Sequence, residues 1–377
     1  METINAKIKS KDKEYKILVG SNILGKLADF VKQNHNGKKV AVIIDENTNK
    51  LHKDKINSAL KELNPLFITV PSGESSKSKE MKEKIENKLL DNKFGRDSLI
   101  IAIGGGVIGD LSGFVASTFN RGIPIIHVPT TLLAMADSSI GGKTGINTKH
   151  GKNLIGTTYQ PNAVFADMDF LRTLSDDEFR NGLAEVIKMS IIMDKNLFVS
   201  LEKNHKKILA RDKEILQQII KRNVELKKEV VEIDAEEKGL RQILNFGHTF
   251  GHALEAYYKY KIKHGYAVSQ GMIVESKISV MASSLNKNEE ERIIGMIKIF
   301  GFPLRQNMDV KTSKIIELMK SDKKSRSNKP RFVLIVKIGK AKSKDNNFSF
   351  EVEADVIENA IERCKDEYDS KAKQLIK

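Results

Sequence analysis

The first half of the chain alternates between short apolar runs and charged amphipathic segments. Strands are predicted for six apolar runs: YKILVG, KKVAVIID, NPLFITVP, DSLIIAIGGG, PIIHVPTT and NAVFADMDF. Helices are predicted between them, for example over about 22–33 and 78–92. Apolar strands that alternate with helices are typical of a parallel sheet covered on both faces. The pattern therefore predicts an N-terminal α/β nucleotide-binding domain of the Rossmann-like type.

The pattern changes near residue 174, where strand-like runs nearly vanish. Long segments with apolar residues at helical spacing follow, for example over 208–231 and 289–300. Near the end, RFVLIVKIG and NFSFEVE are predicted strands that could form a hairpin, and the tail KDEYDSKAKQLIK is a predicted solvated helix. The expected organisation is an α/β domain over 1–173 and a mainly α-helical domain over 174–377.

Composition supports a folded protein with a sizeable core. The chain has 377 residues, of which 40% are hydrophobic and 30% charged. No apolar run reaches the roughly 18–20 residues that a membrane crossing needs, and the N-terminal sequence lacks a signal-peptide core. The single cysteine, Cys364, excludes an internal disulfide. These features predict a cytoplasmic protein with no membrane partner.

The formal net charge of +15 raises the question of a nucleic-acid partner. The lysines are spread along the whole chain, there is no tryptophan, and no basic stretch alternates with aromatic residues. We therefore interpret the charge as a solvated surface and expect no nucleic-acid binding. The few lysines inside motifs suit a small anionic substrate.

The stretch IAIGGGVIGDLSGF places Gly104, Gly106 and Gly109 in GxGxxG spacing between a predicted strand and a predicted helix. Such glycines let the backbone approach a diphosphate at a helix N-terminus. A glycine-rich tight turn is the alternative. The acidic residue expected about 20 positions later is missing, and Arg121 and VPTT occupy that region. The stretch therefore predicts a nucleotide site that lacks the standard fingerprint.

Further loops carry groups suited to phosphate. PSGESSK, residues 71–77, follows a strand and offers hydroxyls and a lysine. SSIGGKTGIN and KHGKNLIG place lysines beside glycines, where an ammonium and backbone N–H groups can meet the same phosphate. Their polar residues are Lys143, Asn147, Lys152 and Asn153. Ordinary surface loops are the alternative interpretation.

GLAEVIKMS places Glu185 and Lys188 three residues apart on one face of a predicted helix, among apolar neighbours. A solvated ion pair is the ordinary explanation. A helix this apolar can instead bury the pair, and buried ionisable groups often mark functional sites.

LNFGHTFGHALE places His248 and His252 one helical turn apart, each preceded by a glycine, Gly247 or Gly251. Two histidines at this spacing can form a metal pair. His264 follows in KHGYAVSQGM, and the glutamate of GLAEVIKMS is also available. One glutamate and two histidines with an open fourth position is a catalytic zinc set, with the spare histidine available for acid–base work. The glycines would allow close approach to another element or a ligand.

Together and in order, these stretches resemble the 3-dehydroquinate synthase family over most of the chain. The matching stretches are PSGESSK, GGGVIGDLSGF, RGIPIIHVPTTLLAMADSSIGGKTGIN, GKNLIG, GLAEVIK, EKGLRQILNFGHTFGHALE and HGYAV. The resemblance implies an NAD-binding domain, a helical metal-binding domain and a homodimer. It implies conversion of 3-deoxy-D-arabino-heptulosonate 7-phosphate to 3-dehydroquinate and phosphate, with NAD regenerated in each turnover.

Matching positions carry the family's site onto this sequence. The implied ligands of zinc, or of cobalt, are Glu185, His248 and His264, with His252 as an acid–base group beside the metal. The residues implied to contact substrate hydroxyls are Asp137 and Lys188, and those implied to contact its carboxylate are Lys227 and Arg241. The residues implied to contact its phosphate are Lys143, Asn153, Asn245, His252 and one of Lys323 or Lys324.

The resemblance also implies where NAD binds. These positions are Asp45, Ser72, Gly73, Glu74, Lys77, Gly105, Gly106, Val107, Asp110, Thr130, Thr131, Lys143, Lys152, Phe170 and Thr173. Arg121 is expected to reach the neighbouring subunit's site.

One position departs from the family pattern. Tyr266 stands where the family usually has glutamate after the HG of the last ligand motif. Loss of a carboxylate beside a ligand can retune a metal site. Alternatives are a sister sugar phosphate cyclase whose substrate lacks the carboxylate, a metal-dependent polyol or glycerol-phosphate dehydrogenase, and a basic nucleic-acid-binding module. Lys227 and Arg241 argue against the first, because that substrate would leave two cations unpaired.

Overall fold

We describe the protein from a computed structural model, which describes residues 14–283, 285–303, 310–320 and 329–374. Contacts divide this part of the chain into two compact units. The first comprises 14–18, 22–129 and 142–167, and the second comprises 19–21, 130–141 and the described residues from 168 onward. The predicted boundary after residue 173 stays a prediction. Contacts group 130–141 and 168–173 with the second unit.

A six-stranded sheet forms the centre of the first unit. The strands are β1 (Lys16–Gly20), whose last two residues are grouped with the second unit, β2 (Lys39–Asp45), β3 (Leu66–Val70), β4 (Ser98–Gly104), β5 (Ile125–Pro129), β6 (Lys143–Thr148), β7 (Gly151–Thr158) and β8 (Ala163–Asp167). The sheet order is β1-β8-β5-β4-β2-β3, and neighbours from β8 to β3 are parallel. Because β4, β5 and β8 are buried along their whole length, their sequences are mostly apolar. The predicted α/β class is confirmed.

The first unit contains four described helices, two of which begin at a short polar side chain that caps them. They are α1 (Gly25–Asn34), α2 (Glu46–Leu60), α3 (Lys79–Asp91) and α4 (Gly106–Thr118). Asp45 accepts a hydrogen bond from the Thr48 amide at 2.9 Å and begins α2. Ser78 accepts one from the Met81 amide at 3.2 Å and begins α3. Each of these two caps satisfies a backbone donor that the helix itself leaves unpaired.

The lysine- and glycine-rich stretches after residue 140 form an antiparallel hairpin, β6 with β7, where the sequence predicted only loops. A Cβ at Gly156 would lie 2.0 Å from the Thr144 carbonyl oxygen, so this close pairing requires glycine. Glycine weakens the strand signal in a sequence. The prediction of loops was therefore wrong.

His127 lies on β5, and its ring faces Gly109 and Gly113 of α4. Its Nδ1 is buried and makes no hydrogen bond within the described part of the chain. Burial lowers the pKa of this imidazole from 6.5 to about 4, so the folded protein keeps it neutral. The unfolded chain takes up the proton first on acidification. The contribution of His127 to the free energy of unfolding is therefore fully present above about pH 6.5, and it is lost as the pH falls towards 4.

Acidification from near pH 7 to near pH 5 is expected to lower the free energy of unfolding by about 2 kcal/mol through His127 alone. Urea unfolding of the native protein and of His127→Gln at both pH values measures this contribution. The variant should show a pH dependence that is smaller by about that amount. Equal pH dependence in the two proteins would contradict the assignment.

The second unit is mainly helical, as predicted. Its helices are α5 (Asp176–Met193), α6 (Lys195–Leu209), α7 (Lys213–Ile233), α8 (His248–Tyr257), α9 (His264–Ala282), α10 (Lys287–Ile299), α11 (Thr312–Lys320) and α12 (Ala354–Gln374). The prediction of a single helix over 208–231 was wrong. The chain breaks at Arg211, which has a φ of 60°, and Asp212 caps a new helix through the Ile215 amide. None of the described helices is both long and apolar enough to cross a membrane.

Short strands near the C-terminus complete the second unit. They are β9 (Arg331–Phe332), β10 (Ile335–Lys337), β11 (Lys340–Ala341) and β12 (Phe350–Glu351). The two predicted runs do pair, because β9 and β12 are antiparallel, with Phe332 opposite Phe350. The rest of the first run pairs locally with β11 instead.

Candidate functional site

Glycines bring α8 and α9 into close contact. Gly247 has a φ of 79° at the start of α8, and a Cβ there would lie 2.8 Å from the Val268 carbonyl oxygen. A Cβ at Gly251 would lie 3.2 Å from the Ala267 carbonyl oxygen. Both glycines therefore let α8 approach another element, as the sequence predicted.

Another glycine joins α9 to α5. A Cβ at Gly265 would lie 2.1 Å from the Asn181 carbonyl oxygen. The Gly265 amide donates to the Asn181 side chain at 2.7 Å. This contact places the residue before it, His264, beside the α5 face that carries Glu185.

Glu185, His248 and His264 converge, with one ligand atom from each lying within 4.8 Å of the others. Glu185 Oε1 lies 3.7 Å from His248 Nε2 and 3.4 Å from His264 Nε2. This oxygen is buried and makes no hydrogen bond among the described residues. A buried carboxylate oxygen that faces two imidazole nitrogens fits a divalent cation such as zinc. The residues present therefore fit the predicted metal.

An acceptor at Nδ1 orients the imidazole ring of both His248 and His264. His248 Nδ1 lies 3.1 Å from the Phe246 carbonyl oxygen, and His264 Nδ1 lies 3.2 Å from Glu255 Oε2. An acceptor at Nδ1 fixes the proton there and leaves the lone pair of Nε2 to a metal. Glu255 was missed by the sequence analysis, although it follows His248 and His252 at helical spacing. That spacing was the available signal.

Charges around the triad favour an ionised Glu185. Burial would raise the pKa of this carboxyl, but the Lys188 ammonium beside it lowers the pKa below its usual value. Burial would likewise lower the pKa of His264, but the carboxylates of Glu185 and Glu255 raise it to about 10. The two carboxylates therefore favour a positive charge beside them. The predicted buried Glu185–Lys188 pair is confirmed.

Asp137 lies on a π-helical turn, Ala134–Ser138, that packs against α7. The buried Asn223 donates to the Ala136 carbonyl oxygen at 2.7 Å and holds this turn. Lys227 donates to the Asp137 carbonyl oxygen at 2.6 Å and contacts its carboxylate. Burial would raise the pKa of Asp137, but the ammonium groups of Lys227 and Lys188 lower it strongly. Burial also lowers the pKa of Lys227. These groups form a compact polar cluster.

Arg241 lies on a short turn, Leu240–Asn245, and is almost fully buried. Its guanidinium donates to the carbonyl oxygens of Ala235 at 2.7 Å and Gly141 at 3.3 Å. Its Nε has no hydrogen-bond partner among the described residues. Asn245, on the same turn, donates to Glu237 at 2.7 Å. Two donors of Arg241 thus support the backbone.

In the first unit, predicted NAD residues meet at one edge of the sheet. Asp45 ends β2 opposite Val70, and the preceding residue pairs with Ile103 of β4. Ser72 donates to Asp45 at 3.1 Å. Gly105 precedes α4 with no side-chain cap. The carboxyl ends of parallel strands and an uncapped helix N-terminus are where such folds bind dinucleotides.

A second group of predicted residues lies around Lys77, which is buried. Its ammonium contacts the side chains of Asp110 and Asn153. The side-chain amide of Asn147 donates to the Glu74 carboxylate at 2.7 Å, and the backbone N–H of Asn147 donates to the Lys77 carbonyl oxygen at 2.8 Å. The loop 71–77, α4 and the β6–β7 hairpin are therefore joined by polar contacts.

The remaining predicted residues are placed as follows. In the first unit, Gly73 has a φ of 110°, Gly106 and Val107 begin α4, Lys143 begins β6, Lys152 lies on β7, and Arg121 ends a 3₁₀ turn. In the second unit lie Thr130, Thr131, Phe170 and Thr173. His252 lies one turn after His248, with ring centroids 5.4 Å apart. Lys323 and Lys324 lie outside the described residues.

Comparison with known proteins identifies the family. A model of the 3-dehydroquinate synthase N-terminal region matches residues 67–181, and one of its C-terminal region matches 182–325. A 3-dehydroquinate synthase of Thermodesulfovibrio yellowstonii is 41% identical over 353 residues, which is 93% of this chain and 97% of that protein.

The chain belongs to the 3-dehydroquinate synthase family.

The family's fold is also found among solved structures. The 2-epi-5-epi-valiolone synthase of Streptomyces hygroscopicus, determined with NAD+ and Zn2+ bound, has a TM-score of 0.85 and 25% identity. The comparison covers 96% of this chain and 99% of that one. A 2-deoxy-scyllo-inosose synthase shares the fold at a TM-score of 0.81 and 23% identity, over 93% of this chain and 97% of that one. The predicted family, enzyme class and function as a 3-dehydroquinate synthase are confirmed.

Proposed function

We propose that this chain converts 3-deoxy-D-arabino-heptulosonate 7-phosphate to 3-dehydroquinate and phosphate with Glu185, His248 and His264 as the metal ligands. The observation that carries the proposal concerns Glu185 Oε1. This oxygen is buried, makes no hydrogen bond within the described part of the chain, and faces the Nε2 atoms of two imidazoles. The family membership supplies the reaction. A site of this composition suits zinc or cobalt.

NAD is proposed to bind in the first unit at the carboxyl edge formed by Asp45, Ser72 and Gly105. When bound, NAD+ accepts a hydride and returns it, while zinc acts as a Lewis acid that eases ionisation of substrate hydroxyls. The protein's own task is to bind and orient one substrate conformer.

The polar cluster of the second unit is proposed to hold the substrate. Asp137 is ionised and can accept a hydrogen bond from a hydroxyl, and Lys188 can donate one. Lys227 and the Nε of Arg241 are proposed to bind the carboxylate, because cationic donors in a buried setting bind anions strongly.

Departure of phosphate requires stabilisation of its charge. The leaving group carries basic oxygens of its own, so it can take up the proton released during elimination. We assign its contacts to Lys143, Asn153, Asn245 and His252, with Lys323 or Lys324 outside the described residues. The His252 ring lies beside the triad, with its centroid 5.4 Å from that of His248 and 6.2 Å from that of His264, and it is proposed to move a proton there.

Phosphate release tests this substrate assignment. The purified protein with zinc and NAD+ is expected to release phosphate from the heptulosonate phosphate. A seven-carbon sugar phosphate without the carboxylate should react with kcat/KM lower by about 30-fold or more. Preference for the uncarboxylated sugar would contradict the proposal and favour a sister cyclase.

We also propose a homodimer in which Arg121 completes the neighbouring subunit's site. Arg121 is exposed, and the consecutive residues Asn120, Arg121 and Gly122 all have positive φ, at 48°, 68° and 112°. Side-chain-bearing residues adopt such conformations at a cost, and they often do so at functional sites. The strained turn supports a role for Arg121 beyond local folding.

Mixing two inactive variants tests that role. Arg121→Ala and His248→Ala are each expected to be inactive. Unfolding and refolding them together should restore activity, because a mixed dimer would pair an intact metal site with an intact arginine from its neighbour. Absence of restored activity in a refolded mixture that contains mixed dimers would contradict the proposal.

A further inference from the structure

Glu255 is a buried carboxylate that neither the motif spacing nor the family resemblance assigned to a role. It lies near the end of α8, three residues after His252 and seven residues after His248. These three residues follow helical spacing, so they share one face of α8. One helix thus presents a metal ligand, a proton-transfer candidate and a carboxylate to the same region.

The carboxylate of Glu255 meets the ligand that comes from another helix. Its Oε2 lies 3.2 Å from His264 Nδ1, while His264 Nε2 lies 3.4 Å from Glu185 Oε1. The His264 ring therefore lies between two carboxylates, one at each nitrogen. With Nε2 directed at a metal, Nδ1 must carry the proton and donate it to Glu255.

His264 needs this support more than His248 does. His264 is the first residue of α9, and its N-cap, Lys263, makes no side-chain capping bond. Its side chain is 30% exposed, compared with 12% for His248. A ligand at an uncapped, partly exposed helix end depends on a partner to fix its ring.

Tyr266, the residue that departs from the family pattern, lies two positions after His264 and does not remove this support. The Tyr266 hydroxyl donates to Asp177 at 3.0 Å, and its ring packs on Phe302 with centroids 5.4 Å apart. The carboxylate beside His264 is that of Glu255 on α8.

We infer that Glu255 is a positioning residue that fixes the tautomer and orientation of His264 for metal binding. The inference rests on the proposed metal site. Because an ionised acceptor makes the opposite ring nitrogen more basic, the Glu255 carboxylate also strengthens His264 as a ligand.

The test compares zinc affinity in the full-length protein. Glu255→Gln removes the charge and keeps the size, and Glu255→Leu removes the acceptor. Competition with a chelator is expected to show zinc binding weakened about 10- to 100-fold, with the larger loss in the leucine variant. Tyr266→Phe is the matched control, since it removes a nearby hydrogen bond that is not directed at His264, and its affinity should stay native.

Cobalt spectra separate positioning from general destabilisation. The visible absorption of the cobalt-loaded Glu255→Gln protein should differ from native, because the His264 ring changes orientation, whereas Tyr266→Phe should match native. If Glu255→Leu fails to fold, the glutamine variant decides. Native zinc affinity and a native cobalt spectrum in Glu255→Gln would overturn the inference. A native protein that binds no zinc would instead overturn the proposed function.

Discussion

Replacement of His248 by alanine is expected to abolish retention of zinc through dialysis. The change leaves Glu185 and His264 as the only members of the proposed ligand set. Losing a residue that merely supports a ligand already costs about 10- to 100-fold in metal affinity, so loss of a direct ligand should exceed about 100-fold. Elemental analysis of the dialysed protein measures the result.

His252→Ala is the matched control, one turn along the same helix. It should retain zinc and lose activity, because His252 is proposed to move a proton and to contact phosphate. His252, Glu255 and His264 also lie close enough together to form a second candidate cluster. Loss of zinc in His252→Ala with retention in His248→Ala would show that the metal occupies that cluster and would contradict the proposed ligand set.

Replacement of Arg241 by methionine is expected to lower kcat/KM for the heptulosonate phosphate by about 30-fold or more. Removing one partner of a buried charged pair costs about 2–5 kcal/mol, and about 1.4 kcal/mol corresponds to a factor of ten. Zinc content and NAD binding should stay near native. The free energy of unfolding should also fall, because the carbonyl oxygens of Ala235 and Gly141 lose their donors.

The uncarboxylated sugar phosphate is the control for Arg241→Met. Its kcat/KM should change little, so the preference for the carboxylated substrate should collapse in the variant. If Arg241 only supports the backbone, a folded and zinc-loaded variant would keep that preference. An unchanged preference would therefore remove the carboxylate assignment.

The sequence predicted those parts of the site that depend on local spacing. Glu185 and Lys188 fall on one helical face, and their apolar neighbours indicated burial correctly. The glycines beside His248 and His252 indicated close approach, and the structure shows that their neighbour is α9. Such features repeat within one or two helical turns, so a linear sequence displays them.

Features that depend on distant residues could not be predicted in this way. Arg241 contacts the carbonyl oxygen of Gly141, which lies 100 residues earlier in the chain. The β6–β7 hairpin depends on the close approach of Gly145 and Gly156, and glycine carries little strand signal. Glu255 could not be identified from the sequence as the partner of His264, because their contact forms only when α8 packs against α9.

The most direct test of the central claim follows NAD during turnover. The zinc-loaded protein is given the heptulosonate phosphate and an amount of NAD+ far below that of the substrate. The account predicts many equivalents of phosphate and of a carbocyclic product per NAD+, with no net NADH absorbance, because the hydride returns within each turnover. NADH that accumulates in proportion to product, with no release of phosphate, would contradict the account and favour a dehydrogenase.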